Sequence, residues 1–147
     1  MLCREIMKNS VQCNTLSDTV KSAAKRMRDA NIGFLPVCDD NNRDLVVGTV
    51  TDRDIAMRCV AEGRQSNMAV SDVMSRQVIC CLPTDDVKRA QELMAKHQKS
   101  RIVCCDEAGR LKGVISLSDI AIRTDGASAA NTLRQVVARE ASGSSAP

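Results

Sequence analysis

The sequence predicts an α+β fold built from two tandem β-α-β-β-α repeats. Three observations carry that prediction. First, "GTVTDRDIA" at residues 48–56 returns as "GVISLSDIA" at 113–121, with Gly48 and Gly113 65 residues apart. Second, the flanks repeat too. Val11/Val78, Cys13/Cys80, Val20/Val87, Lys21/Lys88, Ala23/Ala90, Met27/Met94, Leu35/Ile102, Cys38/Cys105 and Asp39/Asp106 all pair at a spacing of 67. The two lost residues fall between Asp106 and Gly113, where "DDNNRD" and "DEAGR" have turn compositions. Third, apolar runs of strand length alternate with segments of helical spacing. A unit of roughly 60 residues often needs a neighbour to bury its apolar face.

Each element has a local reason. In the first repeat, "SVQCN" (10–14) reads as a short strand. Ser17 is expected to cap a helix running to about Asn31, with Val20, Ala23, Ala24 and Met27 on one face. "GFLPVC" (33–38) and "DLVVGTV" (44–50) are strands joined by a polar turn. "DRDIAMRCVAEG" (52–63) is a second helix, ended by Gly63. The second repeat reads as a strand at 77–82, a helix from about Thr84 to Gln98, strands at 101–105 and 111–115, and a helix from 117 to about 123. "LCREIMK" and "VSDVMS" lead in as short helices, and "EGRQSNMA" (62–69) is the linker. The expected boundaries are therefore 1–63, 64–123 and 124–147. The last holds a helix over "ASAANTLRQVVARE", with Leu133, Val136 and Val137 on one side, and a disordered "ASGSSAP" tail. The helix is expected to pack on the core or on a second subunit.

Composition narrows the function classes. The 147 residues carry 21 basic and 18 acidic side chains, which gives no basis for a strong nucleic-acid or membrane field. Phe34 is the sole aromatic residue, so bases have no stacking platform. No apolar run reaches the length of a membrane span and no signal-peptide core opens the chain, so a cytoplasmic setting is the default. The eight cysteines include no C-x-x-C pair. They read as small buried hydrophobes in a reducing compartment, inert until unfolding, with Cys3 near the terminus as the exception. His97, the one histidine, sits at the polar end of a helix and is not expected to bind metal. The sequence holds no catalytic set of paired carboxylates, no Ser/His/Asp arrangement, no phosphate-binding glycine loop and no metal cluster.

The repeated motif is Thr51-x-x-Asp54 and Ser116-x-x-Asp119. Each follows a strand and opens a helix, so hydroxyl and carboxylate can form a capping box. Gly48 and Gly113 just upstream permit close approach of another backbone or of a ligand.

The tandem units, the "IGFLPV" strand, and the paired "GTVTDRDI" and "GVISLSDI" resemble the cystathionine-β-synthase (CBS) domain pair. The match covers residues 1 to about 123, as in small stand-alone bacterial pairs that include the hypoxic response proteins. The resemblance implies two copies packed with pseudo-two-fold symmetry, and clefts between them that take AMP, ADP, ATP or S-adenosylmethionine. It implies a regulatory module with no catalysis and no required cofactor, a homodimer, and an effector protein that senses the bound state. It assigns ribose or phosphate contacts to Asp54, Thr51, Asp119 and Ser116. A carboxylate suits a ribose diol, since it accepts two hydrogen bonds. For the adenine slot it assigns Val11, Ile32, Gly33, Leu35 and Pro36, matched by Val78, Ile102 and Val103. Arg53 and Arg101 are placed to reach a phosphate, whereas Arg53's counterpart is the uncharged Ser118. Arg58 and Arg123, one turn later, read either as a solvated helix face or as phosphate contacts. The first repeat, with Gly33 and Pro36, is expected to be the better site.

Two other classes stay open at this point. One is a redox or metal sensor using Cys13/Cys80 and Cys38/Cys105. The other is a ligand-free dimeriser, because the faces Val20, Ala23, Ala24, Met27 and Val87, Ala90, Met94 are expected to exceed what one chain can cover.

Overall fold

The computed structural model describes the backbone of residues 1–143 and the side-chain surroundings of residues 1–138. In chain order the elements are α1 (Cys3–Ile6), β1 (Asn14–Thr15), α2 (Val20–Ala30), β2 (Phe34–Cys38), β3 (Val46–Thr51) and α3 (Asp52–Ile55), which widens into a π-helical turn at Ala56–Val60. A 3-10 turn at Val70–Asp72 follows, then β4 (Cys80–Cys81), α4 (Val87–His97), β5 (Arg101–Cys105), β6 (Leu111–Ser116), α5 (Leu117–Arg123) and α6 (Gly126–Gly143). The α+β class and the two repeats, each with a three-stranded mixed sheet, are as the sequence predicts.

Packing groups the chain into two units that cross the repeat boundaries. One unit holds Ser10–Val78 with Ala108–Leu111; the other holds Met1–Asn9, Ile79–Glu107 and the described residues from Lys112 onward. Thus the lead-in of each repeat completes the core of the other repeat's sheet.

In the first of these units the sheet order is β1-β2-β3, with β1 parallel and β3 antiparallel to β2. β2 is central and buried from Leu35 to Cys38. A proline is tolerated there because β1 pairs only with Val37 and Cys38, so that side of the ladder starts after Pro36. The strand expected over 10–14 is thereby reduced to Asn14–Thr15. α2 lays Val20, Ala23 and Met27 on the sheet against Leu35, Val37, Val50, Cys59, Val70, Val73 and Met74. Its cap is Thr19, not Ser17: Thr19 Oγ1 accepts from the Ser22 N–H at 3.0 Å. Ser17 instead gives both amide and hydroxyl to Asp40 Oδ1, at 3.1 and 3.0 Å. Segment 62–69 is more than a linker, because the Ser66 and Met68 carbonyls accept from the Lys21 and Val20 N–H groups at 2.9 Å each. Those are first-turn donors that α2 cannot satisfy itself.

The second unit repeats the plan with sheet order β4-β5-β6. The strand expected at 77–82 is limited to Cys80–Cys81, and the helix capped by Asp86 ends with Gln98 in the left-handed region. Cys3 and Ile6 of α1 join Cys81, Val87, Ala90, Met94, Ile102, Cys104, Ile115, Leu117 and Ile120 in the core. α6 adds Ala129 and Val136 to that core. Gln91 Nε2 donates to Ser128 Oγ at 3.0 Å and Thr132 Oγ1 at 3.2 Å. The inward stripe is therefore Ala129, Thr132 and Val136. Leu133 is 48% exposed and Val137 half-buried, because the hydroxyl pair facing Gln91 rotates the stripe. Of the "ASGSSAP" tail, 141–143 lie within α6 and 144–147 lie outside the described residues.

The surplus apolar faces expected from α2 and α4 are absent. Val20, Ala23, Met27, Val87, Ala90 and Met94 are all buried within their own units, and Ala24 faces solvent.

Candidate functional site

The backbone approach that Gly48 and Gly113 allow has a definite partner. A Cβ on Gly48 would meet the Ser75 carbonyl oxygen at 2.6 Å and Met74 Sδ at 2.9 Å. A Cβ on Gly113 would meet the Lys8 carbonyl oxygen at 2.7 Å. Thr49 and Ser75 exchange backbone hydrogen bonds at 3.0 and 2.8 Å, as Lys8 and Val114 do at 3.0 and 3.1 Å. These glycines therefore admit the lead-in backbone to the strand edge.

Three residues downstream of each glycine, the strand delivers the hydroxyl to a helix start. Thr51 is extended (φ −120°, ψ 163°), and its Oγ1 accepts from the Asp54 N–H at 3.1 Å. Asp54 Oδ2 accepts from the Thr51 N–H at 2.9 Å. Ser116 and Asp119 repeat the box: Ser116 Oγ accepts from the Asp119 N–H at 3.0 Å and donates to Asp119 Oδ2 at 2.7 Å. The amide of the next residue ties the helix start to the preceding strand, Asp52 to Gly33 O at 3.0 Å and Leu117 to Ser100 O at 2.8 Å.

The second carboxylate oxygen is the one with room for chemistry. Asp54 Oδ1 lies 4.0 Å from Arg58 Nη1, and Asp119 Oδ1 lies 3.7 Å from Lys8 Nζ, beyond hydrogen-bond range in both cases. Both carboxylates keep partial exposure, 18% and 17%. Arg58 is held by the Val73 and Met74 carbonyls at 2.9 and 3.1 Å, and Arg123 by the Glu5 carbonyl at 2.8 Å. These arginines therefore clamp the lead-in segments, a role that neither sequence reading foresaw.

The other expected site residues fall into two groups. Val11 and Val78 are half-buried in the chain just before β1 and β4; Ile32 and Arg101 are half-buried at the strand starts; Arg53 is exposed. Leu35 and Val103 are 0% exposed, Ile102 is 1% exposed and Pro36 is buried, so none of these offers surface to a ligand. The alternation that turns one face of β2 and β5 outward in a simple sheet fails here, because these central strands are covered on both faces. Asp52, not singled out from the sequence, stands directly over Gly33: a Cβ there would meet Asp52 Oδ2 at 2.5 Å. The pair has no charged equivalent in the second repeat, where the same positions are Ser100 and Leu117.

The cysteines divide sharply. Cys3 is fully buried, and its thiol is raised by a hydrogen bond with Cys81 and by burial, which removes it as the reactive exception. Cys81 is pushed up to about 12, first by its hydrogen bond with Cys104. Cys80 is the exposed one. Among the described residues no group of three or more His, Cys, Asp or Glu side chains is placed to hold a metal ion, and no helix is long and apolar enough to cross a membrane.

Comparison with known proteins agrees with this architecture. The CBS domain family matches residues 3–60 and 70–123. The CBS domain-containing protein YhcV of Bacillus subtilis is 34% identical over 119 residues, 81% of this chain and 82% of that protein. Hypoxic response protein 1 of Mycobacterium tuberculosis is also 34% identical over 119 residues, covering 80% and 81%. A crystal structure of hypoxic response protein I with two coordinated zinc ions superposes with a TM-score of 0.76, at 29% identity, over 85% of this chain and 100% of that one. The CBS domain pair of protein MJ0100, in complex with 5-methylthioadenosine and S-adenosyl-L-methionine, superposes with a TM-score of 0.71 at 26% identity, over 83% and 94%. The repeated strand-to-helix capping box, the two mixed sheets and the family match together make this chain a member of the CBS domain family, a tandem pair.

Proposed function

We propose that the protein is a non-catalytic regulatory module that binds an adenosine-containing ligand, with Asp54 as the principal ribose contact. The observation that carries this reading is the division of labour within one carboxylate. Asp54 Oδ2 is committed to the Thr51 amide, while Oδ1 is beyond hydrogen-bond range of Arg58 and the side chain keeps partial exposure. A ribose diol needs acceptors of this kind. Thr51 stands beside it and Arg53 is exposed on the next residue, suited to a phosphate. Val11 and Ile32 keep apolar surface for a base. Asp119, Ser116 and Arg101 form the equivalent but weaker set, with Val78 matching Val11. A structural relative of the same family that holds two adenosine derivatives supports the ligand class.

The reading includes a homodimer, an effector protein that senses occupancy, and a cytoplasmic setting in line with the cysteine usage. Isothermal titration with AMP, ATP and S-adenosylmethionine, on the wild type and on Asp54→Asn, is the test. Saturable binding that the substitution weakens is expected. Failure of all three ligands to bind overturns the reading and leaves the ligand-free dimeriser.

A further inference from the structure

We propose that Lys8 binds ligand phosphate beside Asp119, making the second repeat's site selective for phosphorylated adenosine ligands; this rests on the adenosine-ligand reading above. The backbone of Lys8 is pinned to β6. Its amide and carbonyl exchange hydrogen bonds with Val114 at 3.0 and 3.1 Å, in the close approach that Gly113 permits. β6 ends at Ser116, whose hydroxyl opens α5 and accepts from the Asp119 N–H. From this anchored start the Lys8 side chain reaches the carboxylate, with Nζ 3.7 Å from Asp119 Oδ1.

That separation is too long for a hydrogen bond, so the ammonium and Oδ1 do not satisfy each other. Asp119 is fixed, because its Oδ2 accepts from the Ser116 hydroxyl and amide at 2.7 and 3.3 Å. Lys8 has room to swing: its side chain is 70% exposed, against 17% for Asp119. A ribose diol donates to Oδ1, and the ammonium then turns its N–H donors to a phosphate on the same sugar. An adenosine ligand without phosphate uses the carboxylate and leaves the ammonium to water.

The first repeat builds its charge differently. Ser75 occupies the place of Lys8: it exchanges backbone hydrogen bonds with Thr49 at 3.0 and 2.8 Å, and a Cβ on Gly48 would meet its carbonyl at 2.6 Å. The cation facing Asp54 Oδ1 is Arg58, one helical turn along the chain. The Val73 and Met74 carbonyls hold Arg58 at 2.9 and 3.1 Å, and the Glu5 carbonyl holds its counterpart Arg123 at 2.8 Å. Arg53 has the uncharged Ser118 as its match. Lys8 therefore supplies, from the lead-in segment, the untethered cation that the second repeat's own helix lacks.

The test titrates the full-length protein with AMP and with adenosine, which shares the diol and base but has no phosphate. Asp54→Asn is the parent, so that the first site is weakened and the heat reports the second. Lys8→Met in this parent should raise the Kd for AMP about tenfold or more, the loss of one charged hydrogen bond, and leave that for adenosine unchanged. Lys8→Arg should keep AMP binding, and about 0.5 M salt should erase much of the parent's preference for AMP, because the lysine is exposed. Thermal melting of Lys8→Met should match the parent, since the Lys8 backbone makes the structural contacts. Undiminished AMP binding in Lys8→Met, or equal weakening of AMP and adenosine, overturns the role of Lys8 and leaves the adenosine reading standing. A parent that binds neither ligand removes the second site and with it the proposal, and a wild type that also binds neither overturns the adenosine reading too.

Discussion

Replacing Asp54 with asparagine removes one acceptor and keeps the other, which separates capping from ligand binding. Asp54 Oδ2 accepts from the Thr51 N–H at 2.9 Å, and an asparagine carbonyl oxygen can make the same bond. The position of Oδ1, an acceptor 4.0 Å from Arg58 Nη1 on a side chain that is 18% exposed, becomes an amide donor. A ribose hydroxyl then loses a charged acceptor and meets a second donor. A hydrogen bond to a charged group contributes about 1.5–3 kcal/mol. Since 1.4 kcal/mol is one decade in affinity, Kd should rise about tenfold or more. Stability should change little, because asparagine caps helices about as well as aspartate. Asp54→Ala is the control: it removes the cap as well, costing about 0.5–2 kcal/mol, or a fall in Tm of about 2–4 °C per kcal/mol for a chain of this size. The assay pairs isothermal titration with thermal melting on the same preparations. Asp119→Asn should weaken binding less, because Ser118 carries no charge where Arg53 does. An Asp54→Asn protein that binds adenosine ligands as tightly as wild type refutes the assignment.

Gly48→Ala should destabilise the fold by about 1–3 kcal/mol, since its Cβ would meet the Ser75 carbonyl at 2.6 Å; an unchanged urea midpoint would contradict the close approach. In the native protein, Cys80 should label with a thiol reagent within minutes and Cys3 only on unfolding, which mass mapping reads directly. Burial tends to raise the Asp18 carboxyl, but hydrogen bonds from Thr15 and Arg26 outweigh it and hold it below its ordinary 3.8. A depressed folded value means that its stabilisation is present above about 3.8 and is lost as pH falls through the lower, folded value. Asp18→Asn should therefore lower Tm at neutral pH and converge with wild type in strong acid; a constant gap at all pH values would refute the linkage.

Much of the fold and part of the site were legible because they depend on near neighbours in the chain. The capping boxes need only a hydroxyl, two intervening residues and a carboxylate, so Thr51/Asp54 and Ser116/Asp119 could be read directly. Leu35, Ile102 and Val103 were expected to line a ligand slot, and their side chains are buried, because strand pattern alone does not say whether a second layer covers the other face. Ser17 was preferred over Thr19 because both are good caps, and only the extended conformation of Thr19 decides between them. The surroundings of the cysteines were illegible for the same reason. Cys13 and Cys80 sit in matching positions, yet Arg26 reaches only the first, from a helix thirteen residues further along.

The sequence by itself determined that there are two like units, the order in which their strands and helices alternate, and which two carboxylates open a helix after a glycine-bearing strand. Those features rest on spacing, periodicity and local hydrogen bonding, which act over a few residues. The tertiary structure alone decided that Met1–Asn9 belongs to the second repeat's sheet and that the segment ending at Val78 belongs to the first. Because the repeats are alike, Cys3–Ile6 and Val70–Asp72 present similar apolar faces, and local pattern cannot tell which sheet each will cover. That choice comes from long-range packing, in which Gly48 admits the Ser75 backbone and Gly113 admits that of Lys8.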